Sequence, residues 1–253
     1  MSDNEIKSWN KAAKEYNDFI QKGDMFRTQL LNEVVLKLLG DLNGKKILDA
    51  GCGQGYFSKI LSDKRVKKVV GIDGSENLIK LAKSNYPENE KLQFSIQNLK
   101  NPLPFKDNEF DAIISNLALM DFDPIDTAIS EFNRILSPQG SLIFSILHPL
   151  FTNGYLHKNI KEMIFHKPPH YAISNYATPF QKKWHIQGIT HATTIHHRPI
   201  EYYSNVLSLH SFVISKIQEP TFPKSIIQSK NNFIKLSAEI PQFLVIKALK
   251  TQK

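Results

Sequence analysis

The sequence predicts an α/β fold: a mostly parallel seven-stranded sheet with helices on both faces. Two observations lead there. Short apolar runs alternate with amphipathic segments at helical spacing along most of the chain, and the first run ends in a glycine-rich turn that opens a helix. Such alternation is what strand–helix–strand units produce when each strand must be covered on both faces. With 253 residues, 41% of them hydrophobic and 22% charged, the chain is long enough for one large globular domain.

Residues 5–39 read as helical, because Leu30, Leu31, Val34, Val35, Leu38 and Leu39 recur at three- and four-residue spacing. Gly40 and Asn43-Gly44 end that stretch. Ile47–Ala50 is the first strand, and a helix follows from Tyr56. Val69–Ile72 is the second strand, ending at Asp73, and residues 76–85 are its helix. Leu92–Ile96 and Phe110–Ser115 are strands three and four. Residues 124–136 form an amphipathic helix, and Ser141–Leu147 is the fifth strand.

The regularity stops at His148-Pro149. Residues 148–198 hold eight of the nine histidines and show no clean period. A segment of that length inside a compact domain is expected to be an irregular insertion, a lid or binding element. A helix near 199–209 and strands near 211–218 and 241–249 complete the sheet.

Composition narrows the function. Cys52 is the one cysteine, which excludes an internal disulfide and a cysteine metal cage. No metal is expected: His166 and His170 have helical metal spacing, but Pro168 and Pro169 lie between them. The polar first twenty residues lack a signal-peptide core, and no apolar run approaches the roughly 18 residues of a membrane span. A cytoplasmic location is therefore expected. Charge is split: residues 1–147 carry 19 Lys/Arg and 20 Asp/Glu, whereas residues 148–253 carry 13 and 4. A basic second half can attract acidic small molecules, membranes or nucleic acid.

The residues richest in information are Asp49-Ala50-Gly51-Cys52-Gly53-Gln54-Gly55, between a strand and a helix. A dinucleotide fingerprint would need its third glycine at position 56, which is Tyr56. The D-x-G-x-G-x-G arrangement instead resembles motif I of the class I S-adenosylmethionine-dependent methyltransferases, small-molecule enzymes of the type 11 kind. The resemblance covers roughly residues 9–148, and more weakly 197–249. It includes Leu103-Pro104-Phe105, Phe110-Asp111 and Ser137-Pro138-Gln139-Gly140.

That resemblance implies a Rossmann-like domain and S-adenosylmethionine as cofactor. It divides the single domain into an N-terminal helical cap (1–43), a cofactor-binding core (44–147), an acceptor-side insertion (148–198) and a C-terminal completion of the sheet (199–253). By the same resemblance Asp49, Gly51, Cys52 and Gly53 line the cofactor, with Cys52 as packing and not as a nucleophile. Asp73, next to Gly74, would accept both ribose hydroxyls, a task a carboxylate suits. Asn98 and Leu99 would contact adenine, and Asn116 and Leu117 would line the pocket after the fourth strand. Trp9, Tyr16 and Arg27 match the closing cap, with Arg27 toward the methionine carboxylate.

Methyl transfer needs a dry pocket, an in-line acceptor and at times a base. His148, at the end of the fifth strand, is the candidate base, since an imidazole titrates near neutrality. Met120, His148, Tyr155, Tyr171, Trp184, His197 and Tyr203 are the candidate acceptor contacts. The expected reaction is methyl transfer to O, N or C of a small molecule, with an acidic acceptor suggested by the charge split. Nucleic acid is the alternative acceptor, supported by the basic second half. Against it stands Asn116-Leu117-Ala118-Leu119, where enzymes that methylate base amines carry Asn/Asp-Pro-Pro-aromatic. A non-catalytic cofactor-binding protein is the third reading.

Overall fold

The computed structural model describes residues 1–150, 154–157, 170–186, 188–222, 238 and 240–251; side chains at 154–157 and 170–172 are outside that description. Helix α1 spans Asp3–Gln21, and α2 spans Asn32–Leu39. Strand β1 (Lys46–Ala50) leads through the glycine turn into α3 (Tyr56–Ser62). Then come β2 (Lys68–Asp73), α4 (Glu76–Asn85), β3 (Leu92–Ile96), β4 (Phe110–Asn116), α5 (Asp126–Ile135) and β5 (Leu136–Leu147). The insertion contributes β6 (Gly154–His157), β7 (His170–Ile173), β8 (Phe180–Trp184) and β9 (Thr193–His197). Helix α6 (Ile200–Leu209), β10 (Phe212–Gln218) and β11 (Phe243–Lys250) follow.

The main sheet has seven strands in the order β10-β11-β5-β4-β1-β2-β3. Strands β5, β4, β1, β2 and β3 run parallel, and β11 is antiparallel to both β5 and β10. Period-two alternation sends Leu48, Val70, Ile113 and Phe144 to one face and Ile47, Val69, Ala112 and Ile143 to the other. The first face is covered by α5 and α6 through Ile129, Phe132, Tyr203 and Leu207. The second is covered by α2, α3 and α4 through Val35, Phe57, Leu61 and Ile79. All these residues are buried.

Two expectations need correction. The stretch 5–39 is not one helix. It breaks at Gly23, where φ is +92°, and Asp24 starts a new turn by accepting the Phe26 N–H at 3.0 Å. A π-helical turn (Arg27–Leu31) then leads into α2. The described part of the insertion is not irregular either. It contains two antiparallel hairpins, β6–β7 and β8–β9. In β9 the inward residues are Thr193, Ile195 and His197, so polar side chains on the buried face hide the alternation that would have marked a strand.

Arg198 locks the turn after β4 to α6. Its buried guanidinium donates to the Leu119 carbonyl at 3.1 Å, to the Phe122 carbonyl, and to Asp123 Oδ1 at 2.8 Å. Arg198→Ala leaves the Leu119 and Phe122 carbonyls without this donor and is expected to cost about 1–3 kcal/mol. Denaturant unfolding should show a lower midpoint with an unchanged slope.

Candidate functional site

The crevice lies at the carboxyl ends of the parallel strands, where open α/β sheets bind ligands. At Gly51 φ is +81°, and a Cβ there would overlap Ala118 Cβ. Only glycine lets the loop lie against the turn after β4. The Gly51 and Cys52 N–H groups donate to the Ile72 carbonyl at 2.7 and 2.9 Å, which pins the loop to β2.

Asp73, at the end of β2, accepts from the Gly53 N–H at 3.0 Å and the Ser75 N–H at 2.8 Å. Its carboxylate also faces the crevice beside Gly53, Gly74, Leu78 and Leu99. Helix α1 forms the roof. Its Asn10 is bonded to Ser75 and Asn77 at the start of α4, and its Trp9 and Tyr16 face the crevice. Glu15 accepts the Thr190 N–H at 2.7 Å, and Glu5 contacts His196 at 2.8 Å, so the same helix is strapped to the β8–β9 hairpin.

A narrow arm extends past Asp49, Gly51, Cys52, Gln54, Tyr56 and Asn116, with Tyr16 and Arg27 opposite. Gln54 is buried here, and neither its Oε1 nor its Nε2 has a hydrogen-bond partner among the described residues. A buried amide is normally paired, so this one calls for a ligand. The residues present fit S-adenosylmethionine. Asp73 would hold the ribose diol, the Gly51–Gly53 backbone would run beneath the ligand, and Gln54 with Arg27 would meet the amino-acid end. Arg27 Nη1 is paired with Asp24 at 3.1 Å, and the guanidinium lies 5.2 Å from the Tyr16 ring centre.

Beside this crevice is a second cavity of about 280 Å³. Its walls include Phe19, Phe26, Met120, Trp184, Ile195 and Phe243. Thr193 brings a buried hydroxyl with no partner among the described residues. Trp9, Tyr16, Leu117 and Asp121 face both cavities and form the neck between them. Leu117 there has φ +56°, strained for a leucine, and strain of this kind gathers at functional sites.

Burial sets the electrostatics. It raises Asp49 to about 7, against the hydrogen bond from Ser58 Oγ at 2.6 Å. It raises Asp73 against the N–H groups of Ser75 and Gly53. It raises Asp121 well above the usual carboxylate range, with Asp73 and Glu5 pushing further in that direction. The Cys52 thiol is also pushed well up by burial, which suits packing rather than attack.

Most expected cofactor residues meet here: Tyr16, Arg27, Asp49, Gly51, Cys52, Gly53, Asp73, Gly74, Leu99, Asn116 and Leu117. Asn98 is not among the residues lining the crevice. Its side-chain oxygen accepts from the Met1 amine and its Nδ2 donates to the Met1 carbonyl at 2.8 Å, so Met1 stands between it and the crevice.

On the acceptor side, Met120 and Trp184 line the second cavity. His148 lines neither cavity: its Nδ1 accepts the Leu150 N–H at 3.2 Å, and its Nε2 contacts Glu219 at 2.8 Å. His197 is turned away, stacked on Phe180 with Nε2 on the Tyr176 carbonyl at 2.8 Å. Tyr203 is buried under the sheet against Phe144. The side chains of Tyr155 and Tyr171 lie outside the described residues, as does His166. Sequence reasoning missed Gln54, Asp121, Thr193, Phe19 and Phe26. Asp121 had a signal, a carboxylate in the apolar run Leu119–Phe122, three residues after the Asn116–Ala118 turn.

Two outcomes follow from this geometry. Gly51→Ala should abolish cofactor binding in calorimetry, since the new methyl group overlaps Ala118. Asp49 is neutral in the folded chain up to about pH 7 but ionises near pH 4 when unfolded. Its stabilising contribution is thus complete below about pH 4 and is lost as the pH rises through 7. Asp49→Asn keeps an oxygen for the Ser58 hydroxyl and removes the charge. Melting temperatures measured from about pH 5 to pH 8 should fall less in the variant than in the wild type.

Known proteins agree with this picture. Residues 48–144 match a family described as a methyltransferase domain. The chain is 29% identical over 237 residues to an uncharacterised protein of Haemophilus influenzae, covering 88% of this chain and 90% of that one. It is 31% identical over 142 residues to the malonyl-[acyl-carrier protein] O-methyltransferase of Hamiltonella defensa, covering 55% of this chain and 50% of the relative. The match thus spans half the length of that curated relative. The fold is similar to that of a crystallised S-adenosylmethionine-dependent methyltransferase from Mesorhizobium loti, with a TM-score of 0.73 at 22% identity over 86% of this chain and 96% of that one. With its seven-stranded sheet, its glycine loop and its carboxylate at the end of β2, the chain has the fold of S-adenosylmethionine-dependent methyltransferases, and its residues 48–144 match the methyltransferase-domain family.

Proposed function

We propose that the protein transfers a methyl group from S-adenosylmethionine to a small acceptor with a largely apolar body. The observation that carries this is the neck of Trp9, Tyr16, Leu117 and Asp121, through which the cofactor crevice opens onto the 280 Å³ cavity. Displacement at carbon needs donor and acceptor in line across such a contact, and a site of this kind supplies position and dryness rather than reactive groups. The aromatic and aliphatic walls suit a flat or aliphatic body, and Thr193 offers it a hydrogen bond.

The charge split suggested an acidic acceptor, and the cavity gives that little support. Arg27 is the one Lys or Arg among its described lining residues, and it is paired with Asp24. The cavity also holds Asp121. The basic surplus of the second half is therefore not what selects the acceptor. No helix among the described residues is long and apolar enough to cross a membrane.

Calorimetry with S-adenosylmethionine and, separately, NAD tests the cofactor. The sulfonium compound should bind saturably and NAD should not. Asp73→Ala should weaken binding by about 10- to 100-fold, as for one lost charge-assisted contact to a diol. Trp184→Ala tests the acceptor cavity. Across a panel of hydroxy- and amino-substituted aromatic acceptors, it should raise the acceptor KM and leave the cofactor Kd unchanged. An unchanged KM, or turnover only of carboxylate-bearing acceptors, would contradict the apolar-acceptor reading.

A further inference from the structure

We propose that Asp121 is the catalytic base: it takes the proton that the acceptor gives up as the methyl group moves. The inference rests on the methyl-transfer reading above and assigns the residue that handles the proton.

Position comes first. Asp121 closes a short 3-10 turn (Leu119–Asp121) just after β4, at the carboxyl end of the sheet. Four residues line both the main crevice and the second cavity, and three of them cannot accept a proton there; Arg27, shared by the narrow arm and the second cavity, is a cation. Leu117 and Trp9 have no basic atom. The Tyr16 phenol is pushed up by burial and stays protonated. Asp121 remains. The other candidates near the acceptor are committed or remote: Asp24 accepts the Phe26 N–H and the Arg27 guanidinium, and it faces only the second cavity. His185 faces only that cavity as well. Both ring nitrogens of His148 are engaged elsewhere.

The surroundings suit the role. The groups that act on Asp121 are Asp73 at the end of β2, Glu5 on α1 and Arg27 on the π-helical turn, with a hydrogen bond from Trp9. The phenols of Tyr16 and Tyr203 also sense its charge. Burial and the two carboxylates hold Asp121 toward its neutral form, and a raised carboxylate is a stronger base once ionised. A cation placed in the crevice reverses that bias by favouring the carboxylate. When bound, the cofactor would supply the methyl group, its sulfur keeping the electron pair of the broken carbon–sulfur bond as a neutral thioether. The acceptor's lone pair forms the new bond to carbon, its proton passes to an Asp121 oxygen, and Asp121 returns that proton to water. Charge cancels on both sides of the step, so the dry site never holds an unpaired ion.

The test measures protons as well as turnover. S-adenosylmethionine and S-adenosylhomocysteine are titrated into the protein in pairs of buffers with different ionisation heats, from about pH 5 to pH 8, across the range in which a raised carboxylate titrates. The wild type should release more protons with the sulfonium compound than with the thioether. Asp121→Asn should reduce that excess, leaving only what Asp49 and Asp73 release, and Asp121→Glu should keep more of it. Both variants should bind the thioether within about threefold of wild type, showing an intact crevice. With any acceptor turned over, Asp121→Asn should lower kcat by about 100-fold or more with little change in KM, and should flatten the pH profile of kcat. An excess in Asp121→Asn as large as in the wild type overturns the proposal. So does a kcat equal to wild type, which would leave Asp121 a counter-ion only. Failure of the wild type to bind S-adenosylmethionine would overturn the methyl-transfer reading instead.

Discussion

Asp49, Asp73 and Asp121 are buried near one another at the carboxyl ends of β1 and β2 and in the turn after β4, and burial holds each toward its neutral form. Three carboxylates in a crevice of low dielectric cannot all ionise without a compensating cation. Much of the surrounding structure manages that constraint. Backbone N–H groups of Gly53 and Ser75 face Asp73, the Ser58 hydroxyl faces Asp49, and the Trp9 indole reaches Asp121. A sulfonium ligand meets the same need from outside the chain. A neutral thioether lacks that charge and would be held less tightly.

The crevice is roofed by different physics from its floor. The floor is the sheet, whose two faces are covered by apolar helices. Helix α1 buries little beyond Ala12, Ala13 and Ile20. It is held mainly by polar contacts: Asn10 to Ser75 and Asn77, Asn17 to Asn85 at 2.8 Å, Glu15 to Thr190, and Glu5 to His196. Elements with few apolar contacts and solvent-facing hydrogen bonds open at lower free energy than the core. The roof over the cofactor is thus built more loosely than the floor beneath it, as a site that must exchange a large ligand requires.

The parallel core was legible because its signals are local. Ile47–Ala50, Val69–Ile72 and Phe110–Ser115 are short, mainly apolar runs, and Gly51, Gly53 and Asp73 carry a recognisable pattern. The N-terminal break was not legible, because Leu30 to Leu39 keeps helical spacing across a π-helical turn that Gly23 and Asp24 introduce upstream. The insertion's hairpins were hidden by Thr193 and His197 on a buried strand face. Among the histidines, residue type and chain position do not by themselves say which ring faces a cavity. His148 and His197 stand at strand ends, but their ring atoms serve Leu150, Glu219 and Tyr176. The acceptor cavity draws on Phe19, Phe26, Trp184 and Phe243, far apart in sequence. Only tertiary packing brings such residues together, so no window of sequence contains the signal.

The most direct test is a pH titration of the aspartate side-chain carboxyl carbons by NMR, with and without S-adenosylmethionine. In the ligand-free protein Asp49 is expected to titrate near pH 7, and Asp73 and Asp121 above the ordinary aspartate range. All three should move toward lower pH when the sulfonium ligand binds, and much less with its neutral thioether product. If the three carboxyls titrated like surface aspartates in the free protein, or if the two ligands moved them equally, a cation-seeking crevice would be the wrong description of this site.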